Sequence, residues 1–70
     1  MSIITLLSDY GTRGSKIAKA KGLLLSELST TSIIDISHEI SPFNIVEAAY
    51  IMKRSYSNFP RNTIHIIDVD

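Results

Sequence analysis

The sequence has no cysteine, no excess of either charge and only three glycines. Without cysteine there are no disulfides and no thiol nucleophile, and a zinc site would have to be built from histidine and carboxylates alone. Seven basic and seven acidic residues cancel, so the chain lacks the basic footprint of a nucleic-acid-binding protein. No apolar run approaches the roughly 20 residues of a membrane span. The opening Met1-Ser2-Ile3-Ile4-Thr5-Leu6-Leu7 has no basic residues ahead of its apolar run, which is not the pattern of a secretory signal. The expectation is a soluble cytoplasmic protein with neither a nucleic-acid nor a membrane partner. Gly11 and Gly14 are too few and wrongly spaced for a Gly-x-Gly-x-x-Gly loop, and no Gly-Lys-Ser/Thr follows, so a phosphate loop is rejected.

What is present is a chain of 70 residues, 44% of them hydrophobic. That content argues for folding rather than disorder. The length allows one small domain, and a chain of this size buries only about 60% of its unfolded surface. Domains this small usually depend on disulfides, metal or a partner.

Ile3 to Leu7 is a continuous apolar run closed by Ser8-Asp9-Tyr10-Gly11, the pattern of a buried strand followed by a turn. Ser15 to Leu28 reads as a helix capped by Ser15, with Ile17, Ala20, Leu24 and Leu28 as its apolar stripe. Gly22 within it costs roughly 1 kcal/mol against alanine, which suggests close packing on a sheet. Ser29-Thr30-Thr31 ends the element, and Ser32 to Ile36 is a second strand. Asn44 to Ser57 reads as a second helix, with Asn44 and Glu47 as a capping box and Ile45, Ala48, Ala49, Met52 and Tyr56 as its buried face. Thr63 to Val69 is a third strand. Strands alternating with helices of this length predict an α/β fold, a three-stranded parallel βαβαβ, Rossmann-like segment with right-handed crossovers. No repeat or linker divides it.

Each strand ends near a carboxylate: Asp9, Asp35, and Asp68 with Asp70. Ligands of open α/β sheets bind outside the carboxyl ends of strands, although an aspartate there more commonly caps the following turn. Asp68 and Asp70, two apart in an extended run, share a face. Two acids are too few oxygen donors for a magnesium or calcium site, so no metal is expected. Asp35, His38 and Glu39 form a second polar cluster, in which a structural, hydrogen-bonded role for His38 is the commoner one. The same holds for His65, among apolar neighbours. Tyr10 and Phe43 border loops and suit a core or a crevice wall.

Taken in order, these segments resemble one family. Ile4-Thr5-Leu6-Leu7-Ser8-Asp9-Tyr10-Gly11 is similar to Ile-Thr-Leu-Leu-Thr-Asp-Phe-Gly. Lys21-Gly22 is similar to the end of Met-Lys-Gly, Ile34 to Pro42 to Val-Asp-Ile-Thr-His-Glu-Ile-Pro-Pro, and Glu47-Ala48-Ala49-Tyr50 to Glu-Ala-Ala-Phe. Phe59-Pro60 through Val69-Asp70 is similar to Phe-Pro-x-Gly-Thr-Val-His-x-x-x-Val-Asp. These are motifs of the S-adenosyl-L-methionine hydrolases, the hydroxide adenosyltransferases related to fluorinases and chlorinases. The resemblance covers the whole chain.

It implies an amino-terminal α/β domain that in the family precedes a mainly β domain, and a homotrimer with S-adenosylmethionine held between subunits. S-adenosylmethionine is then a substrate, and no cofactor is needed. Water or hydroxide displaces methionine at ribose C5′, leaving adenosine and L-methionine. Asp9 matches the acid that binds both ribose hydroxyls, and Phe43 matches an aromatic wall beside the adenosine. Asp70 matches the acid that, with an arginine and a histidine, places and activates water. That position is tyrosine in the fluorinase, so Asp70 favours hydrolysis. Substrate binding thus falls to Asp9, Phe43 and Asp70, and catalysis to Asp70. Three departures stand out. Gly14 and Lys16 replace, respectively, an aspartate that helps hold the methionine ammonium and an aromatic or small residue, while Asp68 adds a charge beside Asp70. The carboxy-terminal domain and the arginine and histidine partners of Asp70 lie outside these 70 residues, so the expectation is that this chain alone is inactive. The alternative is a non-catalytic α/β module that binds a nucleoside or a protein through exposed sheet edges.

Overall fold

A computed structural model describes residues 2–28 and 30–70, Ser2 by its backbone alone. The elements run β1 (Ser2–Ser8), α1 (Lys16–Glu27), β2 (Thr31–Ser37), α2 (Ile45–Ser55), a 3₁₀ turn (Tyr56–Asn58) and β3 (Ile64–Asp68). The βαβαβ order of the sequence is reproduced, with the ends shifted by one or two residues. Of the Ser29-Thr30-Thr31 stop, Ser29 lies outside the described residues and Thr31 already belongs to β2.

The three strands form one parallel sheet in the order β2-β1-β3. The strand that comes first in sequence is therefore central and hydrogen-bonded on both edges. Its apolar run fits that place, for every residue from Ile4 to Ser8 is buried. Successive side chains of β1 point to opposite faces. Leu7 packs with Ile40 and Ala48, joined by Ile36, Ile51, Met52 and Val69, under α2. Leu6 faces the other way and, with Ile66 of β3, floors an apolar cavity beneath Ile17, Ala20 and Leu24 of α1. A bulge between Leu6 and Leu7 pairs Leu6 with Asp35 but Leu7 with Ser37. The extra residue, Ile36, joins the α2 face, and β2 is advanced so that His38 lies against the end of β1.

Several local expectations are corrected. Ser15 makes no side-chain cap on α1. A methyl group added at Gly22 would meet nothing within 4 Å, so it is not a site of close sheet packing. No α1 residue is fully buried, and Leu28 is exposed. On α2 only Ala48 is buried; Met52 is half-buried, and Ile45, Ala49 and Tyr56 face outward. Half of the capping box forms. The Asn44 side chain accepts from the Glu47 amide at 2.9 Å, but Glu47 Oε1 accepts from the Ser41 amide at 2.7 Å instead of from Asn44. The glutamate thus ties the preceding loop to the helix.

Both histidines are hydrogen-bonded within the fold. His65 Nδ1 lies 2.6 Å from Thr5 Oγ1, and its ring meets Phe59 edge-on at 5.8 Å. His38 is buried between Ser8 and Asp35. Burial pushes the Asp35 carboxyl up, but hydrogen bonds from Lys21 and His38 outweigh it and hold the group below its ordinary value of 3.8.

Two outcomes are expected. Leu7→Ala should destabilise the fold by about 2–5 kcal/mol in chemical denaturation, whereas Leu23→Ala, at a 71% exposed position, should change it by less than about 0.5 kcal/mol. Because the folded-state value of Asp35 is depressed, its contribution is complete above the unfolded-state value and is lost as pH falls through the folded-state one. Asp35→Asn should therefore flatten the acid limb of a plot of Tm against pH.

Candidate active site

In a sheet of order 2-1-3 the chain leaves β1 toward one side for β2 and returns across it for β3. The crevice between β1 and β3, outside their carboxyl ends, is the topological switch point where open α/β sheets bind ligands. Asp9 follows β1 there, and Asp70 follows β3. A cavity of about 370 Å³ occupies this position, lined by Asp9, Tyr10, Lys16, Phe43, Asp68 and Asp70. All three residues expected from the sequence to contact substrate therefore share one cavity.

Asp9 organises its rim. Its Oδ2 accepts from the backbone amides of Phe43 at 3.4 Å and Asp70 at 3.3 Å. An ionised carboxylate has about four acceptor positions, and these two bonds use those of one oxygen. Among the described residues Oδ1 accepts no hydrogen bond, so it can accept from a ligand hydroxyl. One carboxylate thus connects three segments distant in sequence and still presents an acceptor to the cavity.

Phe43 is 70% exposed and its φ is +63°. That left-handed conformation is uncommon for a bulky side chain and persists only where surroundings impose it. Here the constraints are the bond from its amide to Asp9 and the bond from the Ile45 amide to its carbonyl at 3.2 Å. An exposed aromatic ring held in a strained backbone at a cavity mouth is positioned to stack on a planar ligand. Gly11 and Gly14, at φ +76° and +80°, make the turn from β1 to α1. Any other residue at 14 would be strained there, which gives this glycine a backbone role.

The other wall is built around Tyr10. Tyr10 donates its phenolic hydroxyl to Asp68 Oδ2. That bond, then burial and the charges of Asp68 and Asp9, raise the phenol above its ordinary value of 10.0 and keep it a neutral donor. The Lys16 ammonium stands 5.0 Å from the centre of the Tyr10 ring, in range of a cation–π contact. Asp68 and Asp70 line the same cavity but differ in their contacts: Asp68 accepts from the Tyr10 hydroxyl, while Asp70, just past the end of β3, donates its backbone amide to Asp9. Among the described residues no group of three or more histidine, aspartate or glutamate side chains is arranged to hold a metal ion. Nor is any helix there long and apolar enough to cross a membrane.

The partners of Asp9 and Asp68 were not evident from sequence. The contacts join residues 34, 58 and 61 positions apart, and no local pattern encodes them. The strand-end acids were a suggestive signal for this edge of the sheet; Asp9, Phe43 and Asp70 were singled out by the resemblance to the family.

Comparison with known proteins identifies the family. The chain is 39% identical, over its full length, to the (R)-S-adenosyl-L-methionine hydrolase of Methanocaldococcus jannaschii, of which it covers 28%. It is 32% identical over 62 residues to the fluorinase of Actinopolyspora mzabensis, covering 89% of this chain and 21% of that protein. The chain thus spans about a quarter of the length of these relatives. Among solved structures, an uncharacterized conserved protein from Thermotoga maritima superposes with a TM-score of 0.92 at 33% identity, over 96% of this chain and 26% of that one. Residues 4–70 match the SAM hydroxide adenosyltransferase N-terminal domain, and the chain belongs to that family.

Proposed function

We propose that the protein carrying this segment hydrolyses S-adenosyl-L-methionine to adenosine and L-methionine, and that the segment contributes Asp9, Phe43 and Asp70 to the site. The observation that carries this reading is the convergence of those three residues on one cavity at the switch point of the sheet. A relative that matches along the whole chain is named an (R)-S-adenosyl-L-methionine hydrolase, which supports the same reaction class.

The roles follow from the groups. Asp9 Oδ1 accepts from the ribose hydroxyls, and the Phe43 ring lies against the nucleoside. Asp70 accepts a hydrogen bond from the attacking water and draws off its proton as the water oxygen bonds to C5′. The C5′–S bond breaks with its electron pair going to sulfur, so a sulfonium becomes the neutral thioether of methionine. Since the leaving group is already activated, the site's task is to align and desolvate the nucleophile. Asp9, Asp68 and Asp70 outnumber Lys16 in the cavity, a balance that favours a cationic substrate. Lys16 is drawn over Tyr10, and among the described residues no cation pairs with Asp70.

The proposal extends to a partial amino-terminal domain in this segment, completed by a carboxy-terminal β domain, and to a homotrimer. On its own, the 70-residue chain should release no adenosine above a heat-killed control. In the whole protein, Asp70→Ala should abolish turnover, followed as adenosine release by chromatography, while largely sparing adenosine binding. Asp9→Ala should weaken adenosine binding first. Unchanged binding in Asp9→Ala would remove the ribose assignment, and a whole protein that binds adenosine yet releases none from S-adenosylmethionine would favour the non-catalytic module.

A further inference from the structure

Behind the cavity a hydrogen-bonded chain that no step of the proposed reaction uses runs from the surface to a buried core of Ser8 and His38. Lys21 of α1 donates to Asp35 Oδ2 at 2.6 Å. Asp35 Oδ1 lies 2.8 Å from His38 Nε2, and His38 Nδ1 lies 2.6 Å from Ser8 Oγ. Ser8 Oγ in turn accepts from the Tyr10 amide at 3.3 Å. Ser8 is 3% and His38 6% exposed, so these polar groups are satisfied by one another rather than by solvent.

The direction of the chain can be assigned. A carboxylate only accepts, so the ring nitrogen facing Asp35 must carry a proton. With one ring proton, the imidazole therefore holds it on Nε2 and leaves Nδ1 bare. Ser8 must then donate its hydroxyl to Nδ1, which leaves its oxygen lone pairs to receive the Tyr10 amide. Each member has one consistent orientation, set from the Asp35 end. Two backbone bonds reinforce the junction, from the Gly11 amide to the His38 carbonyl at 2.6 Å and from the Ile40 amide to the Ser8 carbonyl at 3.4 Å. The residue enclosed by all of these contacts is Asp9.

We propose that Ser8, His38 and Asp35 form a positioning relay that locks the turn Ser8–Gly11 and so aims the Asp9 carboxylate at the ligand. The relay rests on the reading of Asp9 as the ribose acceptor. Its members touch no substrate; they act through Asp9.

In the whole protein, nitrogen chemical shifts of the His38 ring at neutral pH should show a bare Nδ1 and a protonated Nε2. Adenosine affinity, measured by calorimetry, should fall about three- to tenfold in Ser8→Ala, the effect of one lost buried hydrogen bond. It should recover in Ser8→Thr, which keeps the hydroxyl. Asp35→Ala changes the more exposed end of the relay, where folding is least at risk, and should mix the His38 tautomers and weaken adenosine binding. A His38 proton on Nδ1, or wild-type affinity in both Ser8→Ala and Asp35→Ala, would overturn the relay. If the wild-type protein bound no adenosine, the ribose reading would fail. The relay would then be judged by the His38 shifts and by exchange of the Gly11 amide, which Ser8→Ala should accelerate and Ser8→Thr restore; an unchanged rate in Ser8→Ala would refute it.

Discussion

The structure depends on burying β1 in the centre of a parallel sheet. Five consecutive residues from Ile4 to Ser8 are removed from solvent, and their backbone groups must then be paired on both edges. β2 and β3 meet that demand from either side. The same arrangement brings the chain ends after β1, β2 and β3 to one edge of the sheet. Asp9, His38 and Asp70 are neighbours because the central strand needs two partners running parallel to it.

The two faces of that strand are covered unequally. Under α2, Leu7 and Ala48 are almost completely buried. Under α1 an apolar cavity of about 260 Å³ separates the helix from Leu6 and Ile66, and Leu23 and Leu25 are exposed. Ile64 and Ile67 of β3 and Val46 of α2 are exposed as well. A core of Ile4, Leu6, Leu7, Ile40 and Ala48 is small for this much apolar surface. That imbalance agrees with a segment spanning about a quarter of the length of its relatives.

The candidate site draws its order from hydrogen bonds more than from packing. Asp9 gathers the amides of Phe43 and Asp70, and that contact helps hold Phe43 in a left-handed backbone. Tyr10 engages Asp68, so the carboxylates of Asp9 and Asp68 both have protein partners in the cavity that Asp70 also lines. Lys16 spends its charge on the Tyr10 ring. The departures at 16 and 68 are therefore coupled: Asp68 positions the ring that holds the lysine.

Much of this was legible in the residues. A continuous apolar run of β-branched and leucine residues specifies a strand buried on both faces, and helical spacing specifies the two crossovers, because both signals are local and periodic. The strand-end position of Asp9 and Asp70 suggested an edge where a parallel sheet can bind ligands, but the choice of Asp9, Phe43 and Asp70 as site residues came from the resemblance to the family. Tertiary structure decided the rest. Which face of α2 is buried, the failure of Ser15 as a cap and the open surroundings of Gly22 depend on where the sheet lies. The strand order that makes β1 central, the bulge that delivers His38 to Ser8, and the use of one Asp9 oxygen as a clamp depend on contacts across tens of residues. Local periodicity carries no information about such pairings; they exist only once the backbone bonds of the central strand have been satisfied from both sides.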